Sequence, residues 1–335
     1  MDLFAEDVVA QILEVRKGLQ RVELESGERA YVLTAFLGES MVGDRVVINK
    51  SAINLGLGTG GWHIVHWNLS RSPIDYDAPG HIMKMRYTSL QHPNIAIEEM
   101  YPEPSTPLPD RLHGKKVLVA GLHSQLGVAA IAARYLWPDA KVTYVMTDGG
   151  ALPLALSDMV SRLLEMGAIT HTITAGQAFG GEYESLTVVG GVAAAFEFLN
   201  SDLVVVAMGP GIAGTSTRLG QSALECLSIS ETLASLGARV QYALRMSDAD
   251  PRERHSGLSH HSRTVVELLS ERVGVCAPLT YSGTDIADTV PRLDVEPLLN
   301  QLRNEEWLPT SMGRGINEDP LFYGATLAAI QGLNT

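Results

Sequence analysis

From Lys116 onward the chain repeats one rhythm: a short apolar run rich in β-branched residues, a polar glycine-rich stretch, then a helix-length segment. The apolar runs are KVLVAG, KVTYVMTD, ITHTITAG, SDLVVVAMG, ARVQYALRMSD and RVGVCAPLT. Between them lie VAAIAARYL, LALSDMVSRLLEMG, LTVVGGVAAAFEFLN, QSALECLSISETLASLG and TVVELLS. A strand that reads as unbroken apolar sequence is buried on both faces, and strand–helix alternation feeds a parallel sheet covered by helices on both sides. Right-handed crossovers make such a sheet doubly wound, so residues 116–335 are expected to form a Rossmann-like, mostly parallel α/β domain. RLDVEPLLNQLRNEEWL is expected to add one more helix, and SMGRGINEDPLFYGATLAAIQGL a glycine-rich loop and a last helix.

The first 70 residues have no helix-length pattern. Val8–Arg16 and Gln20–Val32 flank the turn signals KG and SGE, and RVVINKSAINL and GWHIVHWNL follow, so a small antiparallel β-barrel-like domain is expected there. Residues 71–115 read as a connector, because four prolines fall between Pro102 and Pro109.

A chain of 335 residues with 45% hydrophobic and 19% charged residues has room for two domains and a large core. Its net charge of −13, from 25 Lys and Arg against 38 Asp and Glu, is the wrong field for phosphate-backbone contacts, so nucleic acid is not the expected partner. Cys226 and Cys276 stand apart in apolar settings and read as buried thiols. MDLFAEDVVAQ lacks the pattern of a signal peptide, and the most apolar stretch, Leu186–Leu199, is broken by two glycines and Glu197. The expectation is a soluble cytoplasmic protein without a membrane partner, with homo-oligomerisation left open.

The polar chemistry is asymmetric. Loops leaving strand C-termini are long: GLHSQLG, TDGGALPLALSD, TAGQAFGGEYES, GPGIAGTSTRLG and RMSDADPRERHSGLSHHS, whereas WPDAK, EMGAI, LNSD and LGAR are short connections into strands. In open parallel sheets ligands bind at the strand C-terminal edge, so a small-ligand crevice is expected there.

Gly209-Pro-Gly211-Ile-Ala-Gly214 fits G-x-G-x-x-G after a strand. The ribose-binding acid should follow by about 20 residues, but the next strand ends near Arg245–Asp248. A P-loop reading puts Thr215 where its lysine belongs. What remains is an anion cradle from Gly209, Gly211, Gly214, Thr215 and Ser216, with Thr217 and Arg218 nearby, or else a sharp turn with no ligand.

The segment 245–262 gathers Arg245, Asp248, Asp250, Arg252, Arg254, His255, His260 and His261. Ser259 or Ser262 would cap the helix that follows, and a helix N-terminus disfavours imidazolium. A neutral imidazole suits a general base or a metal ligand, and Asp148 and Asp248 would supply carboxylates. Adjacent histidines project apart, so at most one of His260 and His261 is expected to share a site with His255. The spacing matches no standard zinc pattern, so no metal or cofactor is assigned. Structural caps and hydrogen-bond partners are the plain alternative for all three.

Weaker candidates are His123 and Ser124 in the first βα turn, Glu182, Tyr183 and Glu184 as a lid or acid/base groups, and Arg86 or Arg314 reaching the crevice. His63 and His66 should face opposite sides of a strand.

Taken as a set, LGLGTGGWHIVHWN, GHIMKMRYTSLQ, MGPGIAGTSTRLG, RHSGLSHHS and GRGINEDP resemble a bacterial family of unknown function, domain of unknown function 3866, over nearly the whole chain. The resemblance implies a bacterial origin and brings no activity, cofactor or catalytic residue. From the residues, the leading expectation is an enzyme acting on a small anionic, phosphorylated or nucleotide-like, metabolite. In it the Gly209–Thr217 loop cradles the anion, Arg245, Arg252 or Arg254 clamps it, and a histidine serves as base or ligand. The alternatives are a non-catalytic sensor of a nucleotide or similar anion, and an interaction protein.

Overall fold

The computed structural model describes residues 2–57, 60–71, 80–215 and 217–334. The chain divides into two compact units, Met1–Pro79 with Tyr87–Gln91, and Gly80–Arg86 with His92–Thr335.

The first unit carries the expected barrel. Its strands are β1 (Phe4–Arg16), β2 (Leu19–Leu24), β3 (Arg29–Val32), β4 (Arg45–Asn49) and β5 (His63–Asn68). They close in the order β1-β2-β3-β5-β4. The long β1 makes closure possible: its first half pairs with β4, its second half with β2, and register shifts bend it between them. β3 and β5 run parallel, while the other pairs are antiparallel. This is the strand order of an OB-type Greek-key barrel. Alternate residues Val22, Leu24, Val46 and Ile48 point inward to the barrel core.

The second unit is the doubly wound α/β domain. Its sheet strands are β6 (Lys116–Ala120), β7 (Val142–Thr147), β8 (His171–Ala175), β9 (Tyr183–Ser185), β10 (Leu203–Met208), β11 (Arg239–Ala243) and β12 (Gly274–Val275). All seven are parallel, in the order β9-β8-β7-β10-β6-β11-β12. β9 falls in a stretch the sequence reads as loop. The helices are α1 (His123–Leu136), α2 (Asp158–Glu165), α3 (Val188–Glu197), α4 (Glu225–Ser235), α5 (His260–Val266), α6 (Glu296–Leu302) and α7 (Pro320–Gly332).

The strand faces sort the helices. Leu118, Ala120, Tyr144, Met146, Val205 and Ala207 point into one core with α1, α2, α6 and α7. Val117, Val119, Val145, Val204 and Val206 point into the other with α3 and α4, together with Val265 of α5. Chain moving one way across the sheet leaves its helix on one face and chain moving back leaves it on the other, as right-handed crossovers require. α7 is buried around its whole circumference, which explains its apolar sequence on every side. α6 ends at Leu302, so the single helix expected through Trp307 stops short and Trp307–Met312 runs on as extended chain and turn. Cys226 and Cys276 are buried and free. Among the described residues no helix is long and apolar enough to cross a membrane.

Candidate functional site

The strand order sets the place. β6 sends its chain to one face while its neighbours β10 and β11 send theirs to the other, which opens a crevice at their C-terminal ends. A cavity of about 640 Å³ lies there, within the range of small-molecule sites. Its walls come from Leu122, His123 and Ser124 after β6, Pro210, Gly211, Ile212, Gly214 and Thr215 after β10, and Arg245, Arg252, Arg254, His255 and His261 after β11. Trp307–Met312 and Met159 of α2 complete it. Three of the five elaborated loops therefore converge. The loop after β8 is closed by fully buried Lys84, which donates to the carbonyls of Thr174 (2.8 Å) and Ala178 (2.6 Å) and to Glu184. Glu182 pairs with His171 at 2.8 Å, so neither acid faces the cavity.

The first loop is tighter than expected, because α1 already begins at His123. Gln125 accepts from the Leu122 N–H (3.1 Å) and donates to the Leu244 carbonyl (2.9 Å), tying the helix start to the end of β11. His123 is satisfied at both nitrogens: Nδ1 donates to the Met208 carbonyl (3.0 Å) and Nε2 accepts from Ser157 Oγ (2.7 Å). Ser157 Oγ in turn accepts from Val160 N–H and caps α2. Burial pushes the His123 imidazole down to about 4, so it stands as a neutral strut in the wall.

The glycines after β10 have three different reasons. A Cβ on Gly209 would lie 2.9 Å from Leu152 Cδ1 and 3.0 Å from Met146 Sδ, so this glycine permits packing. Gly211, at φ +106°, holds a backbone conformation that L side chains avoid and faces open space. Gly214 lies against the His261 ring, where a Cβ would meet Nε2 at 3.3 Å. No helix starts at these glycines. The chain makes a hairpin-like excursion, with Gly214 bridged to Gln221 and Thr215 N–H donating to Gly220 O (2.6 Å), and α4 begins only at Glu225. The helix placement of a dinucleotide fingerprint is therefore absent. Thr215 lines the cavity while its hydroxyl engages Thr217 and Gly220; Ser216 lies outside the described residues. Arg218 pairs with Glu267.

After β11 the chain folds into a short ribbon, Met246–Ser247 against Gly257–Leu258, which returns it to the start of α5. Ser259 Oγ caps α5 by accepting from His261 N–H (3.3 Å), and Ser262 Oγ instead accepts from Arg245 N–H (2.8 Å). Arg245 is buried, yet the nearest carboxylate oxygen, on Asp250, is 3.6 Å away. Asp250 is committed elsewhere: it receives Nε and Nη2 of Arg252 at 2.9 and 2.7 Å, and it lies 3.6 Å from Arg314. Arg314 also donates to Asp319 (3.2 Å). Three guanidinium groups, those of Arg245, Arg252 and Arg314, thus share the carboxylates of Asp250 and Asp319, and Arg254 lines the cavity beside Arg245 and Arg252. Burial, then Arg252, pushes Arg245 down to about 10, so it stays charged at neutral pH and under-compensated at the cavity wall. Arg254 is exposed and has no ion-pair partner among the described residues.

The ribbon also gathers all three histidines, which overturns the expectation that only one of the adjacent pair would join His255. One ring nitrogen from each of His255, His260 and His261 lies within 4.8 Å of the others. The ring centroids are 4.2 to 5.1 Å apart. His255 Nδ1 donates to Ser259 Oγ (2.7 Å), which leaves its Nε2 lone pair facing the Arg254 Nε–H at 3.4 Å. Burial, reinforced by Arg245 and Arg252, lowers His255 to about 3; burial and then His260 lower His261 to about 4. His260 is lowered too, by burial and then by Arg254. All three are neutral at physiological pH.

Two predicted carboxylates stay away from the cavity walls. Exposed Asp148 accepts from Ala151 N–H in its own loop (3.1 Å) and from Gln177 N–H in the loop after β8 (2.8 Å), and exposed Asp248 donates its N–H to Asp319 (3.3 Å). Arg86 is not in the wall, whereas Arg314 joins the arginine group through Asp250. His63 is buried in the barrel beside Glu28, and His66 packs on Phe4. Sequence reading missed the role of Asp250 and the wall built by Trp307–Met312.

A family model described as protein of unknown function (DUF3866) matches residues 29–330. The chain belongs to this DUF3866 family. No curated protein matches it. The match takes in β3, β4 and β5 of the barrel and every wall of the cavity, so this DUF3866 chain carries the site inside its family region.

Proposed function

We propose that the crevice binds a small anionic metabolite, phosphorylated or nucleotide-like, and that the DUF3866 protein is an enzyme performing hydrolysis or group transfer on it. One observation carries the reading: Arg245, a buried cation without close carboxylate pairing, lines the cavity beside Arg252 and Arg254. A buried charge that is only loosely paired is costly, and an anion in the cavity would supply a closer partner. Bidentate guanidinium donors suit phosphate or carboxylate oxygens. Gly211, Gly214 and Thr215 line the same cavity, and the two glycines let backbone approach a ligand there. The neutral histidines supply lone pairs beside the bound anion, which a binding protein without turnover would not need.

Thermal unfolding of the purified protein against inorganic phosphate, sugar phosphates, nucleotides and dinucleotides tests this. At 100 times its dissociation constant a ligand of the folded state adds about 2.7 kcal/mol, enough for a Tm rise of several degrees. Arg254→Ala, a change at an exposed side chain, should keep the ligand-free Tm and lose the rise. The absence of a shift with every anion would sink the proposal. A shift in the unaltered protein with no turnover of the ligand found would favour the sensor instead.

A further inference from the structure

We propose that His255, His260 and His261 form a binding site for one transition-metal dication of the Zn²⁺ class. The inference stands on the imidazoles and does not rest on anion binding, although both concern the same cavity wall. Three observations support it. First, the three nitrogens lie within 4.8 Å of one another, while nitrogens around a tetrahedral Zn²⁺ at its usual bond length sit about 3.3 Å apart. Ring rotations on the order of 1 Å close that difference. Second, His260 Nε2 is buried with no hydrogen-bond partner among the described residues. A buried polar atom without a partner asks for an unseen one, and a lone pair shared with two neighbouring imidazoles fits a metal ion. Third, the Nδ1–H of His255 is held by Ser259 Oγ at 2.7 Å, the outer hydrogen bond that fixes the tautomer and orientation of a ligating imidazole.

The donor set names the ion. Nitrogen-only ligation selects Zn²⁺, Co²⁺, Ni²⁺ or Cu²⁺ over Mg²⁺ and Ca²⁺, which take oxygen. Three protein ligands leave a coordination position open, as in metal sites that act on a substrate. His255 and His261 line the cavity, so the ion would be reachable from it. The guanidinium groups are the opposing term. Arg254 lies 3.4 Å from His255 Nε2 and Arg245 lies 3.5 Å from His261 Nδ1. Arg254 is exposed and free to turn outward, and Arg245 has Asp250 on its other side.

The test is a titration of metal-stripped full-length protein with Co²⁺, read by visible ligand-field absorption and by calorimetry, followed by displacement with Zn²⁺. One Co²⁺ per chain is expected. Loss of an outer-shell partner costs about 10–100-fold in metal affinity, so loss of a ligand in His260→Gln or His255→Gln should cost at least about 100-fold. His81→Ala, at an exposed histidine outside the group, should change nothing. Circular dichroism checks that each variant folds, and two ligand variants are used so that one failure to fold leaves the other to decide. No saturable one-to-one binding, or binding unchanged in the folded His260→Gln or His255→Gln protein, overturns the proposal. Inorganic phosphate is titrated in parallel into the stripped protein. Phosphate binding without Co²⁺ binding overturns the metal site and leaves the anion reading standing. Co²⁺ binding without any anion binding supports the metal site and overturns the anion reading.

Discussion

Asp250 places one buried carboxylate among Arg245, Arg252 and Arg314, and its closest bonds go to Arg252 alone. It therefore acts as an internal stand-in for part of an anionic ligand. Asp250→Asn should lower ligand-free stability by about 1–3 kcal/mol, since Arg252 keeps partial solvation, and should tighten phosphate binding by releasing that guanidinium. Urea unfolding and a phosphate titration read the two effects, and weaker phosphate binding in a folded variant would show that Asp250 orients the arginines instead. His123 gives a second prediction. Its folded value of about 4 lies below the unfolded value of about 6.5, so the unfolded chain binds the proton first as pH falls. Stability present above pH 6.5 is lost between there and pH 4, at up to about 1.4 kcal/mol per pH unit for each such group. His255 and His261 act in the same direction. His123→Gln should flatten the fall of Tm across this window, and an unchanged slope would contradict the assignment.

The elements were largely legible because their signals are local. Apolar runs at 116–120, 142–147 and 203–208 became fully or almost fully buried strands, and Ser259 capped α5 as its position suggested. The order of the strands was not legible, since a crossover from β6 to β7 has the same sequence whether or not β10 lies between them. Trp307–Met312 was hidden for a similar reason: the chain reaches the cavity only after α6 has packed on the sheet. Asp248 and Asp250 look alike in SDADPRER, and only the turn ahead of Pro251 sends Asp250 inward to Arg252. The histidine group depends on a two-residue ribbon with no strand signature of its own. At this scale Gly127 of α1 is the sharpest test of the wall. A Cβ there would lie 2.7 Å from Pro309 Cγ and 2.8 Å from Met159 Sδ, both in cavity-lining residues. Gly127→Val should cost about 1–3 kcal/mol by overpacking and weaken ligand binding as well. Calorimetry measures both, and a neutral change would show that the wall yields freely.

At the scale of the whole chain, the two units have separate apolar cores: Val22, Val46 and Ile48 belong to one, and Leu118, Val205 and Leu327 are among those of the other. Separate cores predict more than one step in thermal unfolding. Val22→Ala should move the barrel's step down while leaving the ligand-dependent step in place, and a single step that shifts as one would refute this. The parallel sheet carries a further consequence in its middle. Lys116 of β6 finds its neighbours in Leu203 and Arg239, so this interior strand leaves the ribosome long before either flank exists. Its apolar residues must wait unpaired while the intervening crossovers are made, and contacts so distant in sequence close slowly. A nascent DUF3866 chain is thus exposed to misassociation until β11 emerges, whatever the stability of the finished fold.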